Sequence, residues 1–236
     1  MILVKSLLFQ IYFFSSTIIF ASVVVICSVF DYEKRFMIAR MWANGMLSAG
    51  RIFCGLDYII EGIENIPSKP SVIMIKHSTV FEAYAQLAVF PRQTWVVKRE
   101  LLWIPIFGWC LQALKAIPIN RKAGHTAVNQ IIKQGKKRLN ENIWITIFPE
   151  GTRVAKGETK RYGISGAILA KEAGAQIIPV AHNAGDFWPR RGLLKRPGLI
   201  RFCIGSPIET KNLSPKEITL VVQNWIESKM NEISHC

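Results

Sequence analysis

Apolar positions are distributed along this chain in three different ways. From Leu7 to Phe30 they are almost continuous: LLFQIYFFSSTIIFASVVVICSVF holds no charge, and Gln10 is its one strongly polar side chain. As a helix rising ~1.5 Å per residue the run covers about 36 Å, against roughly 30 Å of bilayer hydrocarbon. It is too long for the apolar part of a cleaved leader, and no small-x-small cleavage site follows it. It reads as a retained membrane anchor.

The next stretch, DYEKRFMIARMWANGMLSAGRIF, has a helical period. Arg40, Asn44, Ser48 and Arg51 fall on one face, while Met37, Met41, Trp42, Met46, Leu47 and Phe53 fill much of the rest. Two readings fit: a helix at the bilayer surface with its basic side chains toward head groups, or a helix packed on a soluble domain. Lys5 precedes the long apolar run, and Lys34, Arg35 and Arg40 follow it. That excess of positive charge assigns the second side to the cytoplasm. The pattern does not distinguish a helix that crosses the bilayer from one that turns back within it.

After Asp57 short β-rich runs alternate with helical patterns. The expected strands are Ser71–Ile75, Thr94–Val97, Ala116–Ile119, Ile143–Phe148, Gln176–His182 and Leu199–Gly205. The expected helices are Glu82–Val89, Ile106–Leu114, Thr126–Asn140, Ile164–Ala173 and Pro215–Ile233. Such alternation implies an α/β fold with a largely parallel mixed sheet flanked by helices, whose active site sits where strands end and helices begin. The chain divides into a membrane-attached helical segment, residues 1–56, and an α/β domain, residues 57–236. The polar tract Phe187–Pro197 reads as a loop.

Composition narrows the partners. A formal net charge of +14 points to an acidic one: anionic lipid, nucleic acid or a phosphorylated substrate. No recognition helix or aromatic platform supports nucleic acid. The five cysteines, Cys27, Cys54, Cys110, Cys203 and Cys236, are scattered and form no C-x-x-C pair. They argue against a disulfide framework and a zinc site, and for a catalytic part in a reducing compartment. Among the basic clusters, Lys133, Lys136, Lys137 and Arg138 read as a solvated helix face, and Arg190, Arg191, Lys195 and Arg196 beside Trp188 as head-group contacts.

Three expected strand ends carry candidate chemistry. In IKHSTVFEAY, His77 and Glu82 are five residues apart. That spacing separates them on a helix and puts them on opposite faces of a strand, so they meet only across a turn. Glu82 could be the N3 residue of a capping box begun at Thr79, or the carboxylate that orients His77 as a general base. In IFPEGTR, the Gly151 and Thr152 amides and the Arg153 guanidinium suit a phosphate, while an ordinary turn with a solvated arginine is the plainer alternative. In VVKRELLWIPIFGW, Lys98 could meet a phosphate or a developing oxyanion, and Trp103, Phe107 and Trp109 could line an acyl channel, touch a membrane or fill a core. The tract GISGA at Gly163–Ala167 comes near a nucleophile elbow, but it follows a polar run and reads as a helix start.

Together these stretches resemble the 1-acyl-glycerol-3-phosphate acyltransferases of the PlsC-like kind, within the wider glycerolipid acyltransferase superfamily. The first motif of that family, His-x4-Asp, is similar to His77–Glu82, with glutamate in place of aspartate. The second resembles Lys98, Arg99, Glu100 and Leu101 through Pro105 and Gly108. The third, Phe-Pro-Glu-Gly-Thr-Arg, stands intact at Phe148–Arg153, and the fourth looks like Ile177–Val180. The resemblance implies that His77, held by Glu82, deprotonates the 2-hydroxyl of lysophosphatidic acid. The alkoxide would attack the thioester of acyl-CoA or acyl carrier protein, with Lys98 or nearby amides at the oxyanion, to give phosphatidic acid. It also implies a phosphate site at Arg153, Thr152, Gly151, Glu150 and Arg99, and an acyl pocket at Trp103, Pro105, Phe107, Pro179 and Val180. No metal or other cofactor is implied. Anionic lipid is a further expected partner, and a bacterial inner membrane the expected site, with the catalytic part on its cytoplasmic side. Acylation of another lysophospholipid or membrane hydroxyl, and a tethered anion-binding protein without catalysis, are the alternatives.

Overall fold

A computed structural model describes residues 1–120, 123–190 and 192–234 of the chain. Arg191 and Cys236, both named above, lie outside the described residues. Seven strands form one sheet: β1 Leu56–Glu61, β2 Val72–Ile75, β3 Gln93–Lys98, β4 Ile117–Ile119, β5 Trp144–Ile147, β6 Ile177–His182 and β7 Gly198–Ile204. Their order across the sheet is β1-β7-β6-β2-β5-β3-β4. Strands β2 to β6 run parallel; β7 is antiparallel to β6, and β1 pairs parallel with β7. The sheet is thus mixed and largely parallel. All six expected strands and five expected helices occur, each end within one residue of its expected place.

Among the described residues the α-helices are α1 Ile2–Ile26, α2 Tyr32–Cys54, α3 Phe81–Val89, α4 Phe107–Ala113, α5 His125–Asn140, α6 Ser165–Ala173, α7 Ala184–Phe187 and α8 Pro215–Ile233. Alternation along β2 shows how they are shared out. Ile73 and Ile75 face a core built with α1 to α4, and Val72 and Met74 face one built with α5, α6 and α8. Two features were not foreseen: the edge strand β1, and the short helix α7 at the start of the tract read as a loop. Helix α7, of four residues, is too short to establish a period, and β1 follows α2 with only Gly55 between them.

From β2 the chain moves through α3 to β3, then returns through α5 to insert β5 between β2 and β3. It crosses through α6 to β6 on the other flank of β2. The direction of winding therefore reverses at β2, where an open α/β sheet leaves a crevice beyond its strand ends. Read across that edge, the C-terminal ends are His182, Lys76–His77, Phe148 and Lys98, in the order β6, β2, β5, β3.

Helices α1 and α2 form a hairpin. Asp31 caps α2, its Oδ1 accepting the Lys34 N–H at 2.9 Å. Of the two readings of α2, packing on the domain is the observed one: Phe36, Ala39, Ala43, Met46 and Leu47 are buried. Arg40 accordingly points inward. Its guanidinium donates to the carbonyls of Leu87 (3.1 Å) and Phe90 (2.5 Å), groups at the end of α3 that lack helical partners. Arg138 also turns in from the helix face expected to be solvated, donating to the Lys115 carbonyl at 3.2 Å.

Helix α1 lies against this frame by a stripe that includes Ser6, Phe9, Ser16, Ala21 and Val24, while Leu3, Leu7, Ile11, Phe14, Ile18 and Ile19 stay exposed. With the turn that follows, Ile2–Val29, it is among the described residues the one helical stretch long and apolar enough to cross a membrane (mean hydropathy 2.1). Helix α4 packs on it, and Trp103, Ile104 and Trp109, beside and on α4, are exposed as well. Phe107 instead packs against the core.

One polar clasp holds α1 down. Lys195 is 1% exposed, so it is not available to head groups as expected. Its Nζ donates to Gln10 Oε1 (3.1 Å) and the Leu193 carbonyl (2.9 Å) and lies 4.6 Å from the Trp188 ring centre and 5.3 Å from that of Phe9. Gln10, the odd polar residue of the long apolar run, thereby has its partner. Removing the ammonium strands two acceptors and two ring faces, a loss of about 1.5–3 kcal/mol. Lys195→Ala should therefore lower the thermal midpoint of the detergent-solubilised protein by roughly 4–8 °C. An unchanged midpoint in the same detergent would contradict the clasp.

Candidate active site

Chain reversal after β2 brings His77 and Glu82 together. His77 Nδ1 lies 2.8 Å from Glu82 Oε1. The carboxylate is wholly buried, and the turn supplies it with donors: the Ser78 and Thr79 amides at 2.9 Å each to Oε1, and the Thr79 hydroxyl at 2.6 Å to Oε2. Thr79 Oγ1 in turn accepts the Phe81 N–H at 2.9 Å. The expected capping box does not form: Val80 is the N-cap of α3 and makes no side-chain cap bond, and the Glu82 carboxylate instead accepts from the turn before the helix and meets the imidazole. Burial pulls its pKa up, but His182, His77 and Thr79 outweigh that and hold the carboxyl well below the usual range. A carboxylate at Nδ1 keeps the proton on that nitrogen and leaves the Nε2 lone pair as the ring's acceptor.

The loop after β5 grips the same histidine. Phe148 stacks on the His77 ring, centres 4.2 Å apart and planes inclined by 21°. The His77 N–H donates to Glu150 Oε1 at 3.2 Å, and the His77 carbonyl accepts the Val154 N–H at 2.7 Å. Ring plane, amide and carbonyl are all set by one loop. Its turn is closed by the Gly151 N–H on the Phe148 carbonyl (3.0 Å), with Pro149 at the position that suits its fixed φ and Gly151 at φ 66°.

This geometry revises the expected phosphate cradle. The Gly151 amide is used within the turn. Glu150 is buried behind the loop, where a carboxylate bonded to the His77 amide is in no position to meet a phosphate. Thr152 is half-buried and Arg153 is exposed. Lys98 and Arg99 are exposed at the end of β3; Lys98 lies 3.7 Å from Glu100, and the Arg99 guanidinium 6.0 Å from the Trp103 ring. The acyl-pocket expectation is corrected at two positions: Pro179 and Val180 are buried within β6, a strand with neighbours on both sides, and face the two cores. Trp103 and Pro105 remain on the exposed segment before α4. Gly108 is needed there, because a Cβ would lie 2.2 Å from the Leu102 carbonyl oxygen.

Three further groups meet behind the site. Lys76, 2% exposed, donates to Glu227 Oε1 at 2.7 Å and lies 3.7 Å from Glu150 Oε1; the Tyr162 hydroxyl also donates to Glu227 Oε1, at 2.8 Å. Sequence reading missed them, and Glu227 stands on α8, 151 residues after Lys76, with no local signal. His182, at the end of β6, was missed likewise. Its Nε2 is 3.5 Å from Glu82 Oε2.

Comparison with known proteins decides the class. The acyltransferase family model matches residues 57–183, which contain both the His77 turn and the Phe148–Arg153 loop. The chain belongs to the acyltransferase family. A Pseudomonas aeruginosa protein named 1-acyl-sn-glycerol-3-phosphate acyltransferase is 37% identical over 213 residues, covering 89% of this chain and 83% of that one. The human 1-acyl-sn-glycerol-3-phosphate acyltransferase alpha is 26% identical over 216 residues, covering 89% and 75%. The crystal structure of the Thermotoga maritima 1-acyl-sn-glycerophosphate acyltransferase, PlsC, shares the fold with a TM-score of 0.81, over 98% of this chain and 95% of that one, at 21% identity. The hairpin of α1 and α2 is thus part of the fold this acyltransferase shares.

Glu150 gives the acyltransferase a pH signature. Burial, opposed by its own backbone contact and by Lys76, raises its pKa from 4.5 to about 7. Between those values the folded protein holds a proton that the unfolded chain has released, so this group makes stability fall as pH rises. Glu150→Gln keeps an acceptor for the His77 N–H and removes the titration. The variant's thermal midpoint should fall less than the wild type's from about pH 5 to 7.5, a difference of at most about 3 kcal/mol. Melting curves that keep a constant offset across that range would remove this assignment.

Proposed function

We propose that this acyltransferase moves a fatty acyl group from acyl-CoA or acyl carrier protein to the 2-hydroxyl of 1-acyl-glycerol-3-phosphate, giving phosphatidic acid. One observation carries the reading: the 2.8 Å contact of His77 Nδ1 with a buried carboxylate, which leaves Nε2 as a base beside the Phe148–Arg153 loop. Nε2 takes the hydroxyl proton as the oxygen attacks the thioester carbonyl. The tetrahedral oxyanion collapses, the carbon–sulfur bond breaks, and the imidazolium returns its proton to the departing thiolate. Glu82 favours the imidazolium through its charge and fixes the tautomer. General-base help of this kind is worth about 10²- to 10⁴-fold in rate.

Arg153 and Thr152 are assigned to the acceptor's phosphate, with Arg99 as a second cation across the edge. Lys98 is assigned to the oxyanion. Every step uses side chains of this chain, and none passes through a metal. The printed names of the Pseudomonas and human relatives support the acceptor. The exposed apolar side of α1, with Trp103 and Trp109 nearby, supports attachment to a membrane that holds acceptor and product. A bacterial relative and the basic residues Lys34 and Arg35 support a cytoplasmic-facing inner-membrane location, where positive charge favours anionic lipid.

Two variants test the assignment. Glu82→Gln should lose turnover on the order of 10³- to 10⁴-fold while the protein stays folded, as expected when an imidazole loses its orienting anion. Near-normal turnover would reduce Glu82 to a brace of the turn before α3. Arg153→Ala should raise KM for the lysolipid by roughly 10-fold or more and leave KM for the acyl donor within about twofold. Equal changes in both constants would remove the phosphate from Arg153.

A further inference from the structure

We propose that His182 is a positioning residue for acyl transfer: its imidazole pins the peptide that carries His77 and closes the far side of the Glu82 carboxylate. The inference rests on the function proposed above and adds a residue to it. Pairing of β2 with β6 ends at Ile75 and Val180. One residue further along, a side chain continues the link: His182 Nε2 lies 2.9 Å from the Lys76 carbonyl oxygen. On the ring's other side the Ala184 N–H donates to Nδ1 at 3.3 Å, which assigns the hydrogen to Nε2. That same Nε2–H edge lies 3.5 Å from Glu82 Oε2.

The peptide unit joining Lys76 to His77 is therefore held at both ends. His182 holds its carbonyl, and Glu150 accepts its N–H at 3.2 Å. With the His77 carbonyl on Val154 and the ring on Phe148 and Glu82, this leaves the base little freedom to swing. A second donor edge beside Oε2 also seals the carboxylate where the turn offers only Thr79. The ring is itself fixed. It is fully buried, stands opposite Phe202 in the antiparallel ladder of β6 and β7, and lies near-parallel to the Phe202 ring at 6.1 Å. Burial lowers its pKa against the opposing pull of Glu82. A histidine that only filled space would need no particular nitrogen in any particular place. Here each nitrogen has a role, and both polar targets of Nε2 belong to the base's own support.

Side-chain length provides the test. A glutamine amide nitrogen is as many bonds from Cβ as histidine Nε2 and can reach the Lys76 carbonyl; an asparagine amide falls one methylene short, and leucine has no donor. Steady-state kinetics on the purified full chain, with lysophosphatidic acid and acyl-CoA, should give His182→Gln within about threefold of wild-type kcat. His182→Leu and His182→Asn should lose roughly 10- to 100-fold in kcat, with KM for both substrates within about twofold, as for a base displaced by a fraction of an ångström. Circular dichroism and thermal melts establish which variants fold. If leucine does not, the glutamine–asparagine contrast decides. Wild-type kcat in either donor-deficient variant, equal loss in glutamine and asparagine, or an effect confined to KM overturns the inference. His77→Ala, run alongside, separates the two levels. If it retains turnover, the proposed mechanism fails; if it is inactive while the donor-deficient variants are normal, only the role of His182 fails.

Discussion

A carboxylate sealed from water organises this molecule. Leaving an anion such as Glu82 buried without donors costs several kcal/mol, so the chain around it must bend until its own N–H and O–H groups point inward. The Ser78 and Thr79 amides and the Thr79 hydroxyl do this, and the imidazole of His77 meets the carboxylate from outside the turn's own backbone. The tight reversal from β2 into α3 is the shape that satisfies this demand. The carboxylate held by the turn before α3 is thereby the one that meets the His77 ring.

The sheet supplies the rest through strand order. Placing β5 and β6 on either side of β2 brings two segments distant in sequence onto the histidine's flanks. From one side come Phe148, Glu150 and Val154, and from the other His182. A parallel sheet needs long crossovers, so such neighbours are always far apart in the chain. The strands end at one edge, which collects a histidine, an arginine and a lysine without dedicated scaffolding. The apolar hairpin packs on the face of the sheet that also carries α3, so the exposed apolar side of α1 and the helix bearing Glu82 share one side of the fold.

Much of this was legible in the chain. Alternation of β-rich and helical runs was enough to place the six strands and five helices after Asp57, because each buries its own apolar pattern. The five-residue spacing of His77 and Glu82 required a turn, and a turn is present. Other readings failed for physical reasons. Arg40 and Lys195 looked like surface cations, yet a long side chain can bury its stem and find acceptors inside, as both do. Pro179 and Val180 sit in a motif, but a central strand buries both faces and cannot line a channel. Glu150 and Gly151 belong to a loop rich in ligand-like groups, whose bonds are spent within the protein.

By itself the sequence determined the local elements, the long apolar first helix and the residue types of the site, since these follow from periodicity, length and turn chemistry over a few neighbouring positions. Only the tertiary structure decided which polar groups face each other. Lys76 on Glu227, His182 beside Glu82 and Lys195 under Gln10 are pairs separated by 100 residues or more. No local pattern encodes them, because the free energy of burying a charge depends on donors and acceptors that strand order alone brings within reach.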